Sequence, residues 1–193
     1  MQKRQQTITV GILGVHNGAG VTTFTVALAN YMQGFLGRRT AAYEYNSSSD
    51  FAKLYDCCHS KHMVDGQECF SYKSVDYYMK KSTELMKLVN QDYDVVIVDC
   101  GSSMTAMAEF MRCDYKIVIS SLQLWHSERY GQFCDRLADY SGSDTWLHIL
   151  GGDVAQIKHI RKSYGISATK RPCIDNAFII DGALIEFFQT LFA

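Results

Sequence analysis

The chain has 193 residues, of which 47% are hydrophobic and 20% are charged, and its formal net charge is −1. This length suits one folded domain with its own core, and the near-neutral charge excludes an overall basic field that would attract nucleic acid or an anionic membrane. The chain has seven cysteines without a Cys-x-x-Cys spacing, a polar N-terminus and no long apolar run, so we expect free thiols in a cytoplasmic protein.

The first part of the chain predicts a strand, a loop and a helix. Residues 7–15 are apolar and β-branched, as in a strand covered on both faces. A glycine-containing loop over 15–20 follows, and apolar residues then recur at helical spacing over 22–33. Residues 40–45 predict a second strand. Residues 46–80 are polar and rich in sulfur, and we expect them to form an elaborated surface segment with one or two short helices.

The rest of the chain alternates between strands and helices. We expect strands at 93–99, 116–120 and 145–150, and helices at 80–90, 104–111, 127–139, 153–163 and 181–192. Strands that alternate with helices and are apolar on both sides favour a parallel sheet with helices on both faces. The sequence therefore predicts one α/β domain over residues 1–193, with three layers and a mostly parallel central sheet.

The loop after the first strand has the context that a phosphate-binding loop requires. It runs from Val15 to Thr23, between a buried strand and an amphipathic helix. Backbone N–H groups and a helix N-terminus can converge there on one anion. Gly18 and Gly20 would let the backbone come close to that anion, and Asn17 tolerates the left-handed conformation. The alternative is a glycine-rich turn that binds nothing.

This loop resembles the deviant Walker A motif of the MinD/ParA ATPases, Lys-Gly-Gly-x-Gly-Lys-Thr-Thr. The resemblance places His16 at the signature lysine and Val21 at the phosphate-loop lysine. It implies ATP or ADP binding with Mg²⁺ by His16, Asn17, Gly18, Ala19, Gly20, Val21, Thr22 and Thr23, with Thr22 on the metal. Valine is apolar where the phosphates are most negative, and histidine is mostly neutral at pH 7. We therefore expect hydrolysis to be slow or absent.

Two strand ends carry further residues of the resemblance. Asp99 ends the strand at 93–99, at the edge of the sheet where ligands bind in open α/β folds, and in the family this position contacts Mg²⁺ through water. Glu44 and Asn46 fall where the family has Asp-x-Asp, whose first aspartate helps to position the attacking water. Glu44 and Asp99 are thus the catalytic candidates, and Thr22 and Asp99 are the metal candidates. Helix caps or solvated strand ends are the alternative.

The resemblance implies a P-loop NTPase-like fold and a degenerate member of the MinD/ParA group, similar to the TadZ/CpaE-like proteins of pilus and secretion systems. Such a protein would act as a positioning, assembly or regulatory factor through protein contacts, and homodimerisation is implied. One alternative is a working ATPase in which another basic residue, such as Lys61 or a partner's arginine, replaces the missing lysines. A second alternative is a protein-interaction module that binds no nucleotide.

Three further features of the sequence have simpler interpretations than a functional site. The Cys-Cys-His run at 57–59 does not have the spacing of a standard zinc site. The apolar C-terminal helix lacks lysine and arginine on its polar side, which favours packing on the domain over membrane docking. Trp125, Tyr130 and Phe133 are expected in the core or at a partner surface. The sequence gives no direct nucleic-acid signal and predicts membrane contact only through a partner.

Overall fold

The structure, a computed structural model, describes residues 6–58, 61–64, 67–79 and 84–192. Nine strands lie in these residues: β1 (Ile8–Gly14), β2 (Thr40–Glu44), β3 (Lys61–Val64), β4 (Gln67–Tyr72), β5 (Val75–Met79), β6 (Val95–Asp99), β7 (Tyr115–Ser121), β8 (Leu147–Gly151) and β9 (Ala168–Lys170). The helices are α1 (Val21–Gly34), α2 (Asp50–Cys58), α3 (Leu85–Val89), α4 (Met107–Arg112), α5 (Leu124–Asp135), α6 (Val154–Tyr164) and α7 (Gly182–Leu191). Short 3-10 turns occur at Met104–Ala106, Leu137–Asp139 and Ser143–Thr145.

The strands form one sheet in the order β3-β4-β5-β2-β6-β1-β7-β8-β9. All pairings are parallel except those of β4 with β3 and β5, which are antiparallel. The central strands β2, β6 and β1 are buried on both faces, as their apolar sequences predict. Their carboxyl ends therefore meet at one edge, in the middle of the sheet.

Helices cover both faces of the sheet. Successive residues of β1 point to opposite sides, as in any strand. Ile12 packs in a layer with Phe24 of α1 and Phe188 of α7, whereas Leu13 packs in the opposite layer with Phe110 of α4. The three-layer α/β architecture and the mostly parallel sheet that the sequence predicts are thus confirmed.

The prediction for residues 46–80 was incomplete. The segment contains one short helix, α2, as expected, but it also contributes the three strands β3, β4 and β5, so it extends the sheet instead of lying on the surface. Phe70 and Tyr77 are fully buried and their rings stack 5.2 Å apart. The turn between β4 and β5 places Lys73 and Ser74 at positive φ, which is the geometry of a tight hairpin.

Smaller differences concern the ends of elements. α3 has five residues where a helix over 80–90 was expected, although residues 80–83 lie outside the described part. α5 begins at Leu124, three residues before the expected start. β9 was not predicted. Tyr130 and Phe133 are buried in the core, whereas Trp125 is exposed.

The C-terminal helix α7 packs on α1. The ring centroid of Phe188 lies 5.5 Å from that of Phe24 and 4.9 Å from that of Tyr31. The apolar face of α7 is thus occupied within the domain, as the sequence favoured. Across the described residues, no helix combines the length and the apolar character that crossing a bilayer requires.

Candidate functional site

The loop between β1 and α1 lies at the carboxyl edge of the sheet, where β6 and β7 flank β1. Its two left-handed residues are Gly18, with φ of 75°, and Gly20, with φ of 91°, and this conformation explains the glycines. Asn17 does not adopt the left-handed conformation. Its Oδ1 instead accepts a hydrogen bond from Oγ of Ser102, in the turn after β6. The loop is therefore fastened to the neighbouring turn.

The loop borders an open cavity of about 820 Å³. The cavity is lined by His16, Asn17, Gly18, Ala19, Gly20, Val21, Thr22, Thr23, Asn46, Ser47, Ser48, Asp50, Gly101, Ser102 and Ser103. The first amides of a helix have no acceptor within that helix, and Val21, Thr22 and Thr23 at the start of α1 line this cavity. The arrangement can therefore present several N–H donors and the positive end of the helix dipole to one anion.

Val21, which the sequence resemblance aligns with the phosphate-loop lysine, directs its side chain into the protein. It is 6% exposed and belongs to the apolar layer beneath the loop. A Cβ built on Gly14 would lie 2.8 Å from Cγ2 of Val21, so the valine fills the space beside that glycine. Apolar packing thus supports the loop here.

His16, which the sequence resemblance aligns with the signature lysine, bonds to the backbone through both ring nitrogens. Nδ1 lies 2.9 Å from the carbonyl oxygen of Asn17, and Nε2 accepts a hydrogen bond of 3.1 Å from the N–H of Ser121. The ring also stacks on His126, with centroids 3.6 Å apart. Burial lowers the pKa of His16. Its buried ring is therefore neutral at pH 7 and ties the loop to β7.

Thr22 and Asp99 meet at the base of the cavity. Oγ1 of Thr22 donates a hydrogen bond of 2.6 Å to Oδ2 of Asp99, whose Oδ1 accepts from Nδ2 of Asn46 at 2.7 Å and from the N–H of Gly101 at 2.9 Å. Asp99 is fully buried, and burial raises its pKa, although these hydrogen bonds oppose the rise. The carboxylate is thus held by three donors from different elements.

Glu44 forms a local cap. Its Oε1 accepts hydrogen bonds from Oγ of Ser48 at 3.1 Å and from the N–H groups of Asp50 and Phe51 at 2.7 and 3.3 Å, at the start of α2. Burial raises the pKa of Glu44. The cap alternative that the sequence left open for this residue is therefore present, while the carboxylate still lies beside Asp99 in the pairing of β2 with β6.

One side of the cavity wall, at the start of α2, carries negative charge. Asp50 lines the cavity, its Oδ2 lies 3.4 Å from Oγ1 of Thr22, and its hydrogen bond to Lys53 lowers its pKa. None of the described residues that line the cavity is a lysine or an arginine. The described part of the chain also has no cluster of three or more metal-binding side chains. The Thr22 hydroxyl nevertheless lies beside the buried carboxylate of Asp99 and the half-buried carboxylate of Asp50. This arrangement fits Mg²⁺, which is usually held by one or two carboxylates together with substrate phosphates.

Sequence reasoning missed two residues at this site. Asp50 could have been found as the first residue of a helix that follows β2. Arg171 follows β9, and its Nη1 lies 2.6 Å from the carbonyl oxygen of Ala19. The two residues are 152 positions apart, so no local pattern could connect them. Of the other candidates, His59 lies outside the described residues, and only the backbone is described at Cys57, Cys58 and Lys61.

No family model matches the sequence, and no curated protein is matched by it. Solved structures do match the fold. A plasmid partition protein from Borrelia burgdorferi bound to AMPPNP is 11% identical, with 97% of each chain covered and a TM-score of 0.68. The MinD cell division protein of Aquifex aeolicus is 11% identical, with 86% of this chain and 83% of that chain covered and a TM-score of 0.60.

A ParA family ATPase from Chlorobium tepidum is 15% identical, with 89% of this chain and 85% of that chain covered and a TM-score of 0.58. Identities this low establish a common fold and leave the chemistry to the site. The resemblance inferred from the loop at Val15 to Thr23 is thus supported by the whole architecture: this chain has the fold of the MinD/ParA-like P-loop proteins.

Proposed function

We propose that the protein binds ATP or ADP with Mg²⁺ in the cavity above the first loop and hydrolyses ATP very slowly or not at all. The nucleotide would act as a ligand that regulates contacts with other proteins. The AMPPNP-bound partition protein shares the fold, and the cavity is wide enough for a nucleotide. Backbone amides of the loop and of α1 would hold the phosphates.

The observation that carries this proposal is the packing of Val21. An intact phosphate loop brings a lysine to the β- and γ-phosphates, and the loss of such a charge costs orders of magnitude in rate. Here the corresponding side chain is 6% exposed and packs beside Gly14. The amides remain available for binding, while the charge that stabilises the transition state is absent from the loop.

Thr22 and Asp99 are the residues that would hold Mg²⁺. The Thr22 hydroxyl donates a hydrogen bond to Asp99, so a lone pair of its oxygen remains for the metal. Asp99 would act through water, because its oxygens already accept three hydrogen bonds. Bound Mg²⁺ would supply the positive charge that offsets the acidic wall and bridges the phosphates.

Nucleotide binding and turnover test the proposal directly. We expect Mg-ATP and Mg-ADP to raise the melting temperature of the protein by mass action, and we expect ATP turnover near background. Val21→Lys should increase turnover, because Val21 also borders the cavity and a lysine is long enough to extend its ammonium group out of the apolar layer towards the phosphates. Val26→Lys is the matched control, since Val26 is also buried in α1 and in the same apolar layer. It should lower stability without a gain in turnover.

The two alternatives make different predictions. A working ATPase would show Mg²⁺-dependent turnover in the unmodified protein that Asp99→Ala abolishes. A module that binds no nucleotide would show no thermal shift with millimolar ligand, and this result would refute the proposal. The open cavity beside the loop favours nucleotide binding over that module.

We further propose that protein contacts involve an apolar surface at the same edge of the sheet. It consists of Met104, Leu124, Trp125 and Val154, all exposed, at the starts of the helical segments that follow β6, β7 and β8. Leu124 and Trp125 are 86% and 71% exposed, which is unusual for neighbouring large apolar side chains. The resemblance to TadZ/CpaE-like proteins suggests a pilus or secretion system as the setting, and it rests on the loop sequence alone.

The partner that we propose first is a second copy of the chain, as the resemblance implies. Because the ring of His16 is engaged with the backbone, we expect the dimer not to depend on ATP. Light scattering should show a dimer with and without nucleotide, and Leu124→Ser with Trp125→Ser should weaken it. Ile179→Ser is the control, since Ile179 is exposed outside this surface. A monomer at all concentrations would contradict the homodimer.

A further inference from the structure

Arg171 touches the phosphate loop from outside the cavity wall. It directly follows β9, and its own N–H donates a hydrogen bond of 2.8 Å to the carbonyl oxygen of Leu150 in β8. From this anchored backbone, Nη1 reaches the carbonyl oxygen of Ala19 at 2.6 Å. An arginine at the far edge of the parallel sheet is thereby brought to the first loop.

Two glycines leave room for the guanidinium group. A Cβ on Gly20 would lie 3.2 Å from Nη1 of Arg171, and a Cβ on Gly151 would lie 3.4 Å from Nη2. The first distance is shorter than ordinary van der Waals contact, and Gly20 is also left-handed. The planar guanidinium group thus fits between the backbone at Gly20 and the backbone at Gly151.

Among the residues that the structure describes, no carboxylate forms an ion pair with Arg171. Arg39, Lys53 and Arg112 form ion pairs in the part of the chain described, whereas Arg171 forms none there. The positive charge of Arg171 acts on His16 in the first loop. Burial lowers the pKa of His16, and the positive charges of Arg129 and Arg171 lower it further. An unpaired, half-buried arginine therefore lies behind a loop that has no lysine of its own.

The bond to Ala19 also orients the peptide that joins Ala19 to Gly20. In a trans peptide, the C=O and the N–H point in opposite directions. With the carbonyl directed to Arg171, the N–H of Gly20 is directed away from it, and Gly20 lines the cavity. A cation at the carbonyl oxygen also polarises the peptide and strengthens the N–H as a donor to an anion.

We propose that Arg171 is a positioning residue of the phosphate site: from behind the loop it supplies fixed positive charge and aims the Gly20 amide at a bound diphosphate group. This inference rests on the proposed nucleotide function, which it deepens by naming the group that replaces the lost lysines for binding. The ligand class is a phosphoanhydride, either free pyrophosphate or the diphosphate of a nucleotide. Arg171 reaches this ligand through the Ala19–Gly20 peptide.

The test measures the binding of pyrophosphate and of Mg-ADP by calorimetry, and it follows the Gly20 amide by NMR. Arg171→Gln removes the charge and Arg171→Lys keeps it. Arg161→Gln is the matched control, because Nε of Arg161 also donates a hydrogen bond of 2.6 Å to a backbone carbonyl, that of Ala168, outside the cavity. Folding of each variant is checked by its unfolding transition.

We expect Arg171→Gln to weaken the binding of both ligands about tenfold or more and to reduce the salt dependence of binding. Arg171→Lys should weaken binding less, and Arg161→Gln should not change it. In Arg171→Gln the resonance of the Gly20 amide should shift in the free protein and should respond less to pyrophosphate. A structural role alone would not restore affinity with a lysine or alter the salt dependence.

The outcomes separate this inference from the proposed function. Equal affinity of Arg171→Gln and the unmodified protein would overturn the inference and leave nucleotide binding intact. If the unmodified protein binds pyrophosphate but no nucleotide, the proposed function fails and the pyrophosphate data alone decide the role of Arg171. If it binds neither ligand, both proposals are overturned.

Discussion

Gly101→Ala tests how the turn after β6 holds the base of the cavity. Gly101 has φ of 61°, in the left-handed region, and a Cβ there would lie 2.6 Å from Cβ of Asn46. Because Asn46 Cβ is fixed to its backbone, the contact cannot be relieved by rotating a side chain. The backbone at Asn46, two residues beyond β2, must shift, and we expect this shift to break the 2.7 Å hydrogen bond from Asn46 to Asp99.

The expected loss of stability has two parts. The left-handed conformation costs an alanine about 1 kcal/mol. The loss of a hydrogen bond to a buried carboxylate costs about 2 kcal/mol more. Gly37→Ala isolates the first part, since Gly37 has φ of 63° and nothing lies within 4 Å of a Cβ built there. We therefore expect about 3 kcal/mol for Gly101→Ala and about 1 kcal/mol for Gly37→Ala.

Urea unfolding of the two variants measures both values, and thermal unfolding should show a decrease of about 3 °C per kcal/mol for a domain of this size. Gly101→Ala should also weaken the Mg²⁺-dependent part of ADP binding, because Asp99 loses one of its donors. If the two variants lose equal stability, the contact with Asn46 does not constrain the turn, and the argument from geometry is wrong.

Three further predictions follow from the buried groups. Asp99→Asn should raise the melting temperature without ligand, because burial raises the pKa of Asp99 and disfavours its charged form. The same change should abolish the stabilisation by Mg²⁺ in ADP titrations. An unchanged Mg²⁺ effect would show that Asp99 does not belong to the metal site. Glu44→Ala should cost about 2 kcal/mol in urea unfolding through the loss of the α2 cap, whereas Glu44→Gln keeps an accepting oxygen and should cost less; equal losses would contradict the cap. Burial lowers the pKa of His148 to about 4, so the unfolded chain takes up a proton at a higher pH than the folded chain. The free energy of unfolding should therefore fall by up to about 3 kcal/mol between pH 6.5 and pH 4. His148→Phe should remove this part of the pH dependence, and an unchanged slope would show that His148 is not its source.

Much of the fold could be predicted from local patterns. Five strands are short and apolar, namely β1, β2, β6, β7 and β8. After β1 and its loop, the apolar residues recur at helical spacing along α1. Residues 46–80 could not be assigned in this way. The buried positions of β4 and β5 include Cys69 and two tyrosines, and polar residues lie between the buried ones. The hydrophobic periodicity is therefore weak, although Phe70 and Tyr77 are fully buried.

The sequence predicted residues that line one cavity, but it did not predict the directions of their side chains. The resemblance predicts that Val21 and His16 stand where the family has lysines. It did not show that Val21 packs inward or that both nitrogens of His16 bond to the backbone. Arg171 could not be found at all, because its contact with Ala19 depends on the register of β8 and β9 across the sheet. Such contacts follow from tertiary packing, which no local spacing encodes.

The hydrogen bond between Ser102 and Asn17 links the first loop to the turn after β6. Met104 begins the next helical turn, two residues beyond Ser102, and its side chain faces solvent. If Asn17 shifts when an anion binds, Ser102 would move with it, and the position of the Met104 side chain would change. The filled and empty states could then be distinguished from outside by a neighbouring molecule, while the strands beneath stay in place.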